Sequence, residues 1–240
     1  MGVSNAVRNP GSYLSRTLDL YRALLTDPER FYDEYIGTRR VKSEFALVLV
    51  AGLVGLVGNY VMLQELIFQF EGFQSVTINE QVRFQLQQRV VEPLLGAFLL
   101  WIWFGIGMYY VAWLYTTIGT TYVAMKRTAW ALFPILIANV IHTAAMAYAS
   151  TTLEVTDEDI TITTSIADEV SAFVWSQASG ETVVLAATAV GIVFALWAGY
   201  IGAYAIKDVR DLTTSEAYKV AAVPTGGYVL YIAYSVVTAL

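Results

Sequence analysis

Apolar residues along this chain gather into long runs separated by short polar connectors and one long polar loop. Five runs, residues 45–68, 93–117, 130–150, 183–206 and 220–240, are close to the roughly 20 residues a helix needs to cross a bilayer. The N-terminal part reads differently. Tyr13, Leu14, Leu18, Tyr21, Leu24 and Leu25 recur at helical spacing, with Arg16, Asp19 and Arg22 between them, which predicts an amphipathic helix. Asp27-Pro28 is a helix-start signal, with Asp27 as cap and Pro28 in the first turn. A short amphipathic piece, Phe31 to Ile36, follows it. The pattern suits helices lying along the inner membrane surface, and equally helices folded onto a bundle.

The predicted fold class is therefore all-α and integral to a membrane. A bundle of five transmembrane helices over residues 45–240 follows a cytoplasmic segment, residues 1–44, that carries amphipathic interfacial helices. Between the first two spans, Asn79 as a cap and Val82, Leu86 and Val90 at four-residue spacing predict a surface helix. Pro224, Gly226 and Gly227 predict that the last span is kinked or partly unwound near its start.

Composition supports this class. Of 240 residues 57% are hydrophobic and only 14% charged, with a mean hydropathy of +0.55; soluble domains carry about 25% charged residues. There is no cysteine, which excludes disulfides and thiolate metal sites. The net charge of −6 argues against nucleic acid as a partner. An acidic exterior with lysine only at Lys42, Lys126, Lys207 and Lys219 reads either as adaptation of a halophilic chain to high salt or as ordinary compositional drift.

Basic residues set the expected orientation. Arg8, Arg16, Arg22, Arg30, Arg39, Arg40 and Lys42 precede the first span. Lys126 and Arg127 lie before the third, and Lys207, Arg210 and Lys219 between the fourth and fifth. The loop over residues 151–182 is acidic and has no Lys or Arg. The expectation is a multi-pass cell-membrane protein with its N-terminus cytoplasmic and its C-terminus outside.

Three groups of residues are candidates for a role. In the fourth span Ala187, Gly191, Ala195, Gly199 and Ala203 recur every fourth position, a small-residue ridge that admits a neighbouring helix closely. The ridge serves either internal packing or contact with another subunit. Asn59, Asn139 and His142 are polar residues inside spans, and Glu65 lies nearer the end of its own. They either line a polar cavity of a small-solute or ion channel, or make ordinary interhelical hydrogen bonds. Arg39, Arg40, Lys126, Arg127, Lys207 and Arg210 form a candidate cytoplasmic partner surface, or only fix topology. No hydrolase, metalloprotease or phosphate-loop motif occurs. The loop carboxylates lack the spacing of a calcium site. The expectation is no enzyme, no metal and no cofactor.

Three stretches resemble the Yip family, five-pass membrane proteins that interact with Ypt/Rab GTPases. They are LLTDPERFYDEYI (Leu24 to Ile36), KRTAWALFPILIANVI (Lys126 to Ile141) and ALWAGYIGAYAIKDVRDLTTSEAYKVAAV (Ala195 to Val223). Asp19-Leu20-Tyr21 is similar to the family's Asp-Leu-Tyr-Gly-Pro motif, with Arg22-Ala23 in place of Gly-Pro. The resemblance, nearest to the prokaryotic branch, implies a compact five-helix bundle. It also implies a scaffold that recruits protein partners such as a small GTPase, in membrane remodelling or vesicle release. A separate expectation, from the small-residue ridge, is a structural subunit of a larger membrane complex, with another subunit as its partner. Membrane lipids are expected partners, and oligomers are compatible with the ridge.

Overall fold

The computed structural model describes residues 10–36, 42–71, 84, 87–88, 90–152 and 180–239. The chain divides into two compact units, residues 1–40 and 41–240.

In the first unit, α1 spans Pro10–Thr26. Leu20, Ala23 and Leu24 are buried while Leu18 is exposed, the one-sided burial expected of an amphipathic helix. Asp27 then caps the next turn, accepting from the Arg30 backbone N–H at 3.3 Å, with Pro28 in the first position. Pro28 suits that place because it has no N–H to leave unsatisfied. A π-helical turn, Phe31–Ile36, follows. Phe31 there packs edge-on to Tyr32 and stacks on Tyr35.

The second unit is a helical bundle. Its helices are α2 (Lys42–Glu71), α3 (Glu92–Ala112), α4 (Thr121–Thr128), α5 (Phe133–Thr152), α6 (Thr182–Arg210) and α7 (Thr214–Ala239). A buried 3-10 turn, Ala129–Leu132, joins α4 to α5. Among the described residues five helical stretches are long and apolar enough to cross a membrane: Glu44–Gln64, Glu92–Ala112, Thr121–Thr152, Thr182–Arg210 and Thr214–Val237. In hydrocarbon a helix satisfies its own backbone groups, which is why such runs fold this way. The core joins Phe104, Met108 and Ala112 of α3 to Leu132, Ile135, Ala198, Ile206 and Val220.

The bounds differ from the sequence expectation in three places. The second span ends at Ala112 and the third begins at Thr121, so the connector is only residues 113–120. Thr120 caps α4 by accepting from Val123 N–H. The connector before the last span is shorter too. Thr213 and Glu216 form a capping box: Glu216 Oε2 accepts from Thr213 N–H at 2.9 Å, and Thr213 Oγ1 accepts from Glu216 N–H at 3.3 Å. That reciprocal pair starts α7 at Thr214 rather than Val220. Finally, α7 is helical through Pro224, Gly226 and Gly227, without the predicted unwinding. Pro224 withdraws one hydrogen bond from the helix. The carbonyl that loses its donor is that of Val220; Pro224's own carbonyl separately accepts from the Trp103 indole at 2.8 Å, which ties α7 to α3. The predicted surface helix over residues 79–90 lies largely outside the described residues, as does the side chain of Glu65.

Small residues set the helix spacing. On α2, a Cβ added at Gly52 would fall 2.8 Å from Leu94, at Gly55 2.7 Å from Pro93, and at Gly58 2.7 Å from Thr143. That face packs against both α3 and α5, and none of the three glycines has room for a methyl group.

Candidate functional site

On the α2–α5 seam, Asn139 and Thr143 are one helical turn apart and therefore face the same way. Asn139 Nδ2 donates to the Ala51 carbonyl at 3.1 Å, and Thr143 Oγ1 donates to the Val54 carbonyl at 3.1 Å. Asn139 thus makes an interhelical hydrogen bond of the kind worth about 0.6 kcal/mol on average. It also lines a cavity of about 730 Å³ bounded by α2, α3, the 3-10 turn, α5 and α7. Asn59 is half-buried and His142 exposed on α5; neither is among the residues that line this cavity. The structure does not bring the three predicted polar residues to it together.

The small-residue ridge divides into two parts. A Cβ at Gly199 would overlap the Thr225 side chain of α7. Ala187, Ala195 and Ala203 are buried. Around Gly191, by contrast, nothing lies within 4 Å of an added Cβ. The ridge therefore meets its own bundle at Gly199 and is open at Gly191. Sequence reasoning missed Gly202, one position outside the four-residue repeat, where an added Cβ would lie 2.5 Å from the end of Met108.

Of the basic residues, Arg39 and Arg40 lie outside the described residues. Lys126 is half-buried in the last turn of α4. Arg127 pairs with Asp208 of α6 at 3.2 Å, and so links the start of the third span to the end of the fourth. Lys207 reaches over the Tyr204 ring, its Nζ 5.8 Å from the centroid. Tyr204 belongs to an aromatic cluster with Tyr200 and Tyr218, whose hydroxyl donates to that of Tyr204 at 3.2 Å.

Arg210 departs from the expectation. Its side chain is fully buried, so it is not part of an accessible partner surface. The guanidinium lies 3.9 Å from the centre of the Tyr109 ring. Nη2 donates to the Tyr109 carbonyl at 2.8 Å, and Nη1 donates to the Ile118 carbonyl. Tyr109 stands in the last turn of α3, where carbonyls lack intrahelical donors and a cation is favourable. Among the described residues no carboxylate pairs with Arg210. The fork shape of guanidinium suits this double contact with simultaneous stacking. Two positive φ values flank the clamp, +85° at Gly119 and +52° at Asp211. A Cβ at Gly119 would lie 2.5 Å from the Val209 carbonyl oxygen, so only glycine admits this approach of the connector to α6.

Among the described residues no group of His and acidic side chains is arranged to hold a metal ion. Neither a curated protein nor a solved structure matches the chain. A family model does match: the Yip1 domain aligns with residues 22–237, from within α1 to the end of the last span. It covers all three stretches that carry the resemblance, and on that match the chain belongs to the Yip1 domain family.

Proposed function

We propose that this Yip1-family membrane protein is a non-enzymatic scaffold. It recruits or organises protein partners at the end of the bundle that carries its basic connectors. The observation that carries this reading is the family match over residues 22–237. The resemblance implies a small-GTPase partner and a setting in membrane remodelling or vesicle release; a subunit of a larger membrane complex is the other partner class in this proposal.

The surface proposed for contact is Lys126 and Lys207 with the neighbouring Arg127–Asp208 pair and the Tyr200, Tyr204 and Tyr218 cluster. Arg210 is left out because it is buried. An acid–base pair, a cation over an aromatic ring and an exposed Tyr218 edge offer the mixed polar and aromatic contacts that protein interfaces favour. In this proposal the N-terminus and these connectors are cytoplasmic and residues 151–182 lie outside.

The test places a photo-crosslinking residue at Lys126 or Lys207 in native membranes and identifies what is captured after mild-detergent extraction. A specific protein, captured there and not from a control site on the lipid-facing side of α5 such as Val140, is the expected result. Recovery of lipid alone at both sites overturns the scaffold reading. Reporter fusions that put residues 151–182 in the cytoplasm overturn the orientation.

A further inference from the structure

The cavity between α2, α3, α5 and α7 is a feature that helix packing leaves unexplained. Every residue that lines it falls within one of four membrane-spanning stretches, and none of them is charged. Its walls include the aromatic faces of Trp103, Tyr228 and Tyr231. Two of its polar groups are already engaged: Trp103 with the Pro224 carbonyl, and Asn139 with the Ala51 carbonyl. The remaining polar groups of the lining are the Asn139 amide oxygen and the Tyr228 and Tyr231 hydroxyls, and the rest of the wall is apolar. At about 730 Å³ it is also far larger than the small voids a packed interior keeps, and falls in the size range of sites that hold small-molecule ligands. The surroundings are hydrocarbon, and exposed Leu99, Ile102 and Tyr231 at its edge open it to that surrounding.

We infer that the cavity is a binding site for the hydrocarbon tail of a single bilayer lipid, held between α3 and α7 and backed by the α2–α5 seam. Pro93, which lines the cavity, is held against Gly55, and Trp103 against Gly227, so close helix contacts fix these walls. At Gly96, within the lining, nothing lies within 4 Å of an added Cβ. A side chain can therefore begin there without a clash at its Cβ.

Gly96 and Gly191 make a matched pair for the test, because both are open to a side chain and only Gly96 lines the cavity. The full-length protein, its Gly96→Trp variant and its Gly191→Trp variant are reconstituted with a diazirine-tailed phosphatidylcholine, irradiated and mapped. The same preparations, washed in mild detergent, are weighed by native mass spectrometry. The expected result is one retained lipid per chain and labelling at Leu99, Ile135 or Tyr231 in the wild type and in Gly191→Trp. Both signals fall by about tenfold or more in Gly96→Trp. Fragmentation of the retained lipid from native membranes then tells an acyl from an isoprenoid tail. If Gly96→Trp melts below the wild type, Gly96→Leu replaces it. No retained lipid on the wild type, or equal labelling of all three proteins, overturns the assignment. So does crosslinking of the lining residues to a second copy of the chain.

Discussion

The guanidinium of Arg210 stacks 3.9 Å from the ring centre of Tyr109 and donates to that same residue's carbonyl at 2.8 Å. A single side chain on α6 thereby holds both the ring and the backbone at the end of α3, and with its other arm the Ile118 carbonyl of the connector. The contact fastens the end of the fourth span to the end of the second. It explains how a buried cation is tolerated: exposed carbonyls at a helix C-terminus carry partial negative charge.

Removing that clamp has a definite expected cost. Arg210→Ala leaves two carbonyls without a donor, at about 1–3 kcal/mol each when buried, and lowers the thermal midpoint in detergent. Arg210→Lys recovers only part of the loss, because an ammonium cannot reach both carbonyls in a fixed fork while stacking on the ring. Tyr109→Leu keeps the carbonyl bond and removes the stacking, a loss of about 1–2 kcal/mol. A double-mutant cycle over the two positions checks this order.

The two glycines of the α6 ridge are expected to behave oppositely. Gly199→Leu collides with Thr225 and prevents α6 and α7 from closing, so the variant is strongly destabilised. Gly191→Leu meets open space and keeps the wild-type melting temperature. Size-exclusion chromatography of the second variant also reads whether this open end of the ridge contacts another subunit. Loss of an oligomer that the wild type forms shows that it does.

For the α2–α5 seam the expectation is modest. Asn139→Leu and Thr143→Val each remove one interhelical bond to a backbone carbonyl, costing about 0.6 kcal/mol apiece and at most about 1.7. Unfolding titrations in mixed micelles measure both. A loss several times larger would show that these side chains do more than join the helices.

The connector between the second and third spans depends on Gly119. Its φ of +85°, and the 2.5 Å that would separate an added Cβ from the Val209 carbonyl oxygen, leave no place for a methyl group. Gly119→Ala costs at least about 1–3 kcal/mol in backbone strain. It also loosens the Arg210 contact at the adjacent Ile118 carbonyl. Accelerated hydrogen exchange over residues 113–120 is the readout.

Much of the architecture is legible in the chain because hydrocarbon imposes a simple rule. A long apolar run must satisfy its backbone internally, so it becomes a helix, and spans emerge from hydropathy alone. Local signals served as well: Asp27 caps the turn it was expected to cap. The Thr213-to-Glu216 capping box was also present as a pattern, yet it lay within a stretch read as a charged connector. The kink expected from Pro224 is the opposite case. The rule that proline breaks helices is local, and here packing against Trp103 and Gly199 accompanies a helix that continues through it.

Site residues were harder to read, for a physical reason. Spacing places Arg210 beside Lys207 at the end of a span, where a solvated basic surface is the natural expectation. The two carbonyls that receive its protons lie 92 and 101 residues away in sequence, and no periodicity reports contacts of that range. In the same way the fourfold repeat finds Gly191 and Gly199 alike. Only the position of α7 makes one a tight contact and leaves the other open. Composition and period settle which segments enter the membrane, since each segment meets the bilayer independently. Which side chains are buried, paired or left facing a cavity depends on how those segments meet one another, and that is decided in the folded bundle.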